Sequence, residues 1–558
     1  MRVFLCDLLL LFCFASAAFG QWQEQTSGVD VPLRGISAVS DAVAWASGAN
    51  GTILRTVDGG KTWQKLSIEG ADKLDFRNVH GFDDKTAYVL SIGPGEQSRI
   101  YKTTDGGRQW QLQFTNQDPK AFYDCFAFWD STHGIAVSDS VDGRFPLITS
   151  ADGVNWSPLL PQNMPPALPN EGAFAASGTC ITTFGKNDVW FATGGPAARV
   201  FHSADNGKTW TVAATPILSG AASQGIFSIA FEDRIHGVIV GGDYKQPATS
   251  EKNAAYTHDG GRTWNLSCKF PSGYRSGAAV ARFPAPDKSP PAIVAVGTNG
   301  TDASHNGNMW TKENDRDYNA ISFAGKTGWA VGSHGAIARV ELLLTPAPNS
   351  ELETVLTEMD CASTSFTTVQ ADFEWQDYQK VVDETEKQTG KVYFRRGGKN
   401  GSIVNAMFEV AAPVAKQVLF DSDKVQLYNP RIDQITEYRP GKSKADVDAF
   451  LDLGFGGRGH ELLKSYDVKM LGWELVDGTR TARLQLTPLS PRVRNMFSQF
   501  VLWIDPQRDI PLKQQVIEPA GDYWLSHYKE FIVGKRISDD QFRIKTTPTT
   551  RIVRPDTN

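Results

Sequence analysis

Thr56-Val-Asp-Gly-Gly-Lys-Thr-Trp63 decides the fold, because the chain repeats it. Thr103-Thr-Asp-Gly-Gly-Arg-Gln-Trp110, Ser203-Ala-Asp-Asn-Gly-Lys-Thr-Trp210 and Thr257-His-Asp-Gly-Gly-Arg-Thr-Trp264 keep the same order. Ser150-Ala-Asp-Gly-Val-Asn-Trp156 is one residue short, and Ala303-Ser-His-Asn-Gly-Asn-Met-Trp310 has His305 where the Asp stands elsewhere. The shared pattern, S/T-x-D-x-G-x-x-W, describes a hairpin staple. Its hydroxyl and carboxylate bond nearby backbone N–H groups, Gly supplies a positive-φ position, and the Trp opens the next strand with a large apolar ring. Each copy carries one carboxylate and lies about one repeat from the next. Asp58, Asp105, Asp152, Asp205 and Asp259 therefore read as structural staples, one per repeat, and not as a metal or sugar site.

The box tryptophans are spaced by 47, 46, 54, 54 and 46 residues. Periods of this length belong to propeller blades. Short apolar runs ended by Gly precede the boxes, among them Val43-Ala-Trp-Ala-Ser-Gly48, Val189-Trp-Phe-Ala-Thr-Gly194 and Gly237-Val-Ile-Val-Gly-Gly242; they read as buried strands. A further run, Gly328-Trp-Ala-Val-Gly-Ser333, leads into Ala336-Ile-Ala-Arg-Val340 with no box after it. Gln21-Trp-Gln-Glu-Gln25 resembles the strand after the first box, so Trp22 supplies a seventh Trp. The expectation is a seven-bladed β-propeller over residues 21–342, closed by its N-terminal strand so that no sheet edge is left open.

The boxes match the Asp-box of BNR and sialidase-type propellers. With the Gly-Trp-Ala-Val-Gly run, the region resembles the photosystem II assembly-factor family of seven-bladed propellers. That resemblance implies a scaffold that binds a protein partner on a propeller face. The alternative is a sialidase-like glycoside hydrolase on the central face, with an accessory C-terminal domain. That chemistry needs three converging arginines to grip a carboxylate, a Tyr–Glu nucleophile pair and an Asp acid. Arg34, Arg77 and Arg275 are the candidates for the arginines. The sialidase Phe-Arg-Ile-Pro segment has only Pro32-Leu-Arg-Gly-Ile36 in the equivalent place and Gly143-Arg-Phe-Pro146 as a near match. No catalytic residue is named on this basis.

Leu343-Leu-Thr-Pro-Ala-Pro-Asn349 breaks the pattern and reads as a linker. Ser350 caps a helix whose apolar positions are Leu352, Val355, Leu356, Met359, Phe366 and Val369. Strands follow at Lys391–Arg396, Ala406–Val410, Gln417–Phe420 and Val425–Tyr428. A helical insert over Lys444–Tyr466 comes next, then strands at Val468–Trp473, Thr481–Leu486, Phe500–Ile504, Leu512–Ile517 and Trp524–Val533. This order gives an α+β half-barrel, an antiparallel sheet with helices on one face. Phe366-Thr-Thr-Val-Gln-Ala-Asp-Phe373, Gly390-Lys-Val-Tyr-Phe-Arg-Arg396, Val418–Pro430 with its Tyr-Asn-Pro end, Leu502-Trp-Ile-Asp-Pro506 and Pro511-Leu-Lys-Gln-Gln515 resemble the periplasmic lipoprotein carrier (LolA-like) family over residues 350–547. The resemblance implies an apolar trough that shields acyl chains, each exposed CH₂ costing about 0.8 kcal/mol in water. It implies that Arg396 helps to set the closed state, although Gly397 stands where the family has Pro. Tyr428, Phe450, Leu451 and Phe455 complete the pocket candidates, with core packing as the plainer role for the apolar three. Gly454-Phe-Gly-Gly-Arg-Gly459 lacks the Lys-Ser/Thr of a phosphate loop and follows a helix, so it reads as a connector. Residues 548–558 read as a tail.

The net charge of −6 shows neither a basic stripe nor an acidic tail, which gives no footing for nucleic acid. Residues 1–20 read as a secretory signal, with Arg2, an apolar core over Leu8–Phe14 and small residues before position 20. The run is too short to span a bilayer, and Phe12 before Cys13 does not fit lipoprotein processing. The expectation is export to the periplasm of a Gram-negative-type bacterium. Cys125, Cys180, Cys268 and Cys361 remain, and four cysteines allow three pairings. Their wide spacing and the scattered histidines give no metal site, and no cofactor is expected. Asn50-Gly-Thr52, Asn299-Gly-Thr301 and Asn400-Gly-Ser402 read as turns. The chain then reads as a noncatalytic cell-envelope factor, with a protein partner on the propeller face and an acyl chain or lipoprotein in the second domain.

Overall fold

The computed structural model describes residues 20–283, 291–342, 350–396, 403–421, 424–439, 453 and 455–555. The chain divides into two compact units, Met1–Thr345 and Pro346–Asn558. The expected signal and linker fall almost wholly outside the described residues.

The first unit is a seven-bladed propeller. Blade one is the sheet Leu33–Ala38, Ala44–Gly48, Ile53–Thr56 and Gln64–Leu66. Five more sheets follow in chain order, the fifth blade gaining a short extra strand at Gly194–Gly195. The seventh takes its outer strand from the other end of the chain. Gly20–Gln25 pairs antiparallel with Ile337–Leu342, placing Trp22 opposite Val340. The Trp22 ring stacks on Tyr318 with centroids 5.6 Å apart. The first strands of successive blades touch one another around a complete ring. Fully buried Trp45, Trp190 and Trp329 fill the space between sheets.

The boxes do what their chemistry asks. In the first, the Thr56 hydroxyl accepts from the Gly60 N–H at 2.9 Å and donates to Asp58 at 2.9 Å, while Asp58 accepts from the Thr62 N–H at 3.0 Å. Bonds from the Thr62 hydroxyl and N–H hold the Asp58 carboxyl down at about 2. Trp210, Trp264 and Trp310 donate their indole N–H to box carbonyls at 2.8, 3.1 and 3.0 Å. The sixth box corrects the sequence reading by one position. Ser304, not Ala303, leads it, and Asn306 accepts from the Asn308 N–H at 2.9 Å in the place of the Asp. His305 has no part in the staple. Cys125 is joined to Cys180, their Cα atoms 6.1 Å apart, tying the first strand of blade three to the approach of blade four.

The second unit is a twelve-stranded sheet. Its order is Tyr466–Val476, Thr479–Pro488, Gln499–Asp505, Ile510–Ile517, Tyr523–Val533, Thr368–Gln379, Glu384–Arg396, Ile403–Ala412, Lys416–Asp421, Lys424–Asn429, Gln434–Tyr438 and Arg551–Val553. All neighbours are antiparallel except the last, which pairs parallel, so the sheet is mixed and continues past the boundary expected at 547. The order has two ends, which makes it an open sheet.

Helix Ser350–Ser365 is shorter than its pattern suggested. Val369 lies instead on a strand, opposite Phe394. The alternation Val369, Ala371, Phe373, Trp375 has period two, and burial against a sheet face outweighs the i+3 match of Phe366 and Val369. The helix packs Val355, Leu356 and Met359 onto Leu484, Leu486, Phe500 and Leu502. Of the expected insert, residues 453 and 455–466 are described; they hold the helix Gly459–Ser465, and Tyr466 already begins a strand. Val392, Phe394 and Phe408 share a buried cluster with Phe366, Phe373 and Phe455, while Tyr393, Met407 and Leu419 pack with Phe542. Both faces of these middle strands are therefore covered.

Candidate binding sites

In the propeller, the residues that enter each first strand gather at one end of the ring axis. The segment Ala173–Gly178, which leads into blade four, crosses that end. Arg77 of blade two donates Nη1 to the Ala175 carbonyl at 3.0 Å, and Arg34 of blade one reaches the Ala176 carbonyl at 3.5 Å. Asn78 donates to the Gly178 carbonyl at 3.0 Å, and the Ser177 hydroxyl to the Ser276 carbonyl of blade six at 2.7 Å. Phe174 stacks on Phe227 of blade five at 3.9 Å. This segment thus ties blades one, two, five and six together, with the partly exposed guanidinium groups of Arg34 and Arg77 beside it. Burial and the proximity of Arg77 lower the Arg34 pKa. Asp75 holds Arg77 at 2.8 Å.

Below the strap lies a carboxylate pair. Asp124 is buried and its Oδ2 has no hydrogen-bond partner. Asp139 accepts from the Ala173 N–H at 2.9 Å. Burial, then the neighbouring Asp139, raises the Asp124 pKa well above the usual range, and burial pushes Asp139 up to about 6. This pair was missed from sequence. Its only trace was two aspartates on adjacent strand ends otherwise made of apolar residues.

The three arginines considered for a carboxylate grip do not converge. Arg275 is fully buried and spent on structure: Nε donates to Asp302 at 2.8 Å, and Nη1 to Asn299 and to the Tyr274 carbonyl, each at 2.7 Å. Arg34 and Arg77 instead both bond to carbonyls of the Ala173–Gly178 segment.

In the second unit, Arg396 and Phe455 meet. Arg396 Nε donates to the Phe455 carbonyl at 3.0 Å. The Phe455 ring stacks on Phe394 at 4.1 Å and meets Tyr528 edge-on at 5.1 Å. Gln514 donates to the Leu453 carbonyl and accepts from the Tyr528 hydroxyl at 2.9 Å. The Gly456 N–H donates to the Asp509 carbonyl at 2.9 Å. The connector thus closes over an aromatic floor. Gly456 is required there: its φ is +67°, and a Cβ would stand 2.4 Å from the Phe366 ring. Gln514 and Tyr528 were not singled out from sequence, although their alternate placement on return strands was a usable signal.

Tyr428 lies elsewhere. Its hydroxyl donates to Asp433 at 3.2 Å and braces the turn that follows. Phe450 and Leu451 fall outside the described residues. Among the described residues, no group of three His, Cys, Asp or Glu is placed to hold a metal ion.

Comparison with known proteins agrees with this division. Residues 14–159 match the family described as photosynthesis system II assembly factor YCF48. Residues 364–545 match outer membrane lipoprotein carrier protein LolA. No curated protein matches the chain. Among solved structures, YCF48 from Cyanidioschyzon merolae is 17% identical, with TM-score 0.42, over 58% of this chain and 99% of that one. A structure described as YCF48 bound to D1 peptide is 13% identical, with TM-score 0.41, over 58% and 97%. The MucA/MucB complex of Pseudomonas aeruginosa is 15% identical, with TM-score 0.23, over 35% and 61%. A disulfide and a carrier-type domain together point to an extracytoplasmic protein. The chain joins an N-terminal propeller of the YCF48/BNR type to a C-terminal domain of the LolA family.

Proposed function

We propose that this protein is a noncatalytic periplasmic factor whose second domain holds the acyl chain of a lipid or lipoprotein while its propeller holds a protein partner. The observation that carries the reading is the Arg396–Phe455 contact. A guanidinium bond at 3.0 Å helps to fasten a glycine-containing connector over a floor of stacked rings. Phe455 touches Phe394 face-on and Tyr528 edge-on, contacts that an acyl chain can replace once the connector lifts. Segments built to open are held by few polar ties and close through apolar contact. On the propeller, Arg34 and Arg77 offer paired cations, beside the Ala173–Gly178 segment they bond to, to an acidic or carboxylate-ended segment of the partner.

The test is native mass spectrometry of the full chain after incubation with an N-palmitoylated peptide. One bound acyl peptide is expected, lost in Phe455→Asp and kept when the peptide sequence is changed. A chain that takes up no acylated peptide while its thermal unfolding is intact refutes the carrier role.

A further inference from the structure

Three turns of the second unit share one plan. Lys380–Asp383, Pro430–Asp433 and Pro506–Asp509 each join two neighbouring strands through four residues. Each ends on an Asp in the left-handed region, with φ of 54°, 43° and 50°. In the first two, a Tyr five residues earlier donates its hydroxyl to that Asp, Tyr378 to Asp383 at 2.9 Å and Tyr428 to Asp433 at 3.2 Å. This geometry asks for the Asp and nothing apolar; β-branched residues are poor turn formers.

The middle positions differ by the end of the sheet they occupy. Pairing of Tyr378 with Tyr523 and of Tyr428 with Gln417 sets the first two turns at one end, and pairing of Asp505 with Ile510 sets the third at the other. The first two carry Val381, Val382 and Ile432, which are 92%, 55% and 60% exposed. The third carries Gln507 and Arg508. The other described turn at that far end is Asp477-Gly478, also without an aliphatic residue; exposed Leu475, Ile532 and Val533 lie on strands. At the near end, Leu489, Met496 and Trp524 are exposed as well, with Trp524 edge-on to Phe497 at 5.9 Å. Lys380 and Arg431 stand beside the protruding aliphatics.

Aliphatic side chains on separate tips, with polar residues between them, do not form the continuous patch that a folded partner covers. They suit a deformable apolar phase. Branched aliphatics enter the acyl boundary, Trp and Tyr sit at headgroup depth, and cations face phosphates. We propose that this end of the C-terminal sheet is a bilayer-docking rim, in which Val381, Val382 and Ile432 enter the membrane surface and Lys380 and Arg431 lie at its headgroups. Among the described residues no helix is long and apolar enough to cross a membrane; the proposed contact is one of turn tips with the bilayer surface. The rim rests on the carrier reading, since a carrier must exchange its acyl chain with a membrane.

The experiment is flotation of the full chain with vesicles of phosphatidylethanolamine and phosphatidylglycerol, and with vesicles of phosphatidylcholine alone. The wild type is expected to float with both. The triple variant V381D/V382D/I432D is expected to lose at least about tenfold in the bound fraction, and Q507D at the opposite end to lose nothing. All three substituted side chains are exposed, so an unchanged melting curve accompanies the loss. Equal flotation of the triple variant and wild type, or no flotation of the wild type, overturns the rim. Acyl-peptide uptake measured on the same samples separates the two readings. A wild type that takes up acyl peptide but does not float loses the rim and keeps the carrier, whereas a triple variant that takes up acyl peptide but no longer floats supports both.

Discussion

Arg396→Met removes the guanidinium bond to the Phe455 carbonyl while keeping an apolar stem to pack beside Phe366 and Gly456. A hydrogen bond to a charged group contributes about 1.5–3 kcal/mol when buried. Arg396 is partly exposed, so about 1–2 kcal/mol is the appropriate range after solvent screening. That shifts the connector from closed to open by roughly 5–30-fold. Phe455 stays apolar and the sheet keeps its core, so global stability changes little. Hydrogen exchange reads the effect directly. The Gly456 amide, bonded to the Asp509 carbonyl at 2.9 Å, should lose protection by that factor, while Val392 and Phe394 in the middle of the sheet keep theirs. Release of a bound acyl peptide should accelerate in parallel. If Gly456 exchanges at the wild-type rate in Arg396→Met, the guanidinium bond does not hold the connector and the reasoning fails.

Gly456→Ala should destabilise the C-terminal unit by about 2–5 kcal/mol, combining the left-handed backbone cost with overpacking against Phe366, and differential scanning calorimetry would show it in the transition of that unit. Asp139 keeps a proton in the fold that the unfolded chain gives up, so its own contribution to propeller stability should fall as pH rises from about 4 to about 6, with the raised Asp124 extending the loss to higher pH. The loss is worth about 3 kcal/mol; urea titrations of Asp139→Asn at the two ends of the window should show it removed. Deleting residues 20–25 leaves Ile337–Leu342 as an open edge, and size-exclusion chromatography should find the truncated chain associating where the intact one does not.

The propeller was readable because its signal is local. Each box spans eight residues or fewer and bonds to itself, so Thr56, Asp58, Gly60 and Thr62 announce their turn without knowledge of the rest. Trp22 could be matched to the last blade because the ring left one strand unaccounted for. The slip at the sixth box came from Asn306 substituting for an Asp, which a strict pattern passes over. The second unit was harder. Phe366 and Val369 satisfy helical spacing, and only the continuing alternation through Trp375 shows that the chain has become a strand. Arg396 and Phe455 are 59 residues apart, and no spacing rule joins them; the family resemblance named Arg396, Phe455 stood out only as an apolar residue of the insert, and the fold supplied their contact. Arg275 could not be told from Arg34 or Arg77 by sequence, because its partner Asp302 lies two strands away in the same blade. Tyr428 was a pocket candidate, and the bond of its hydroxyl to Asp433 five residues on is a local feature.

The most direct measurement is photo-crosslinking of the full chain with a diazirine-bearing fatty acid, followed by peptide mapping. The account predicts labels on Phe394, Phe455 and Tyr528, the rings that face one another beneath the connector, and none on Tyr393 or Phe542 of the opposite face. Labels spread evenly over both faces, or confined to the propeller, would contradict it.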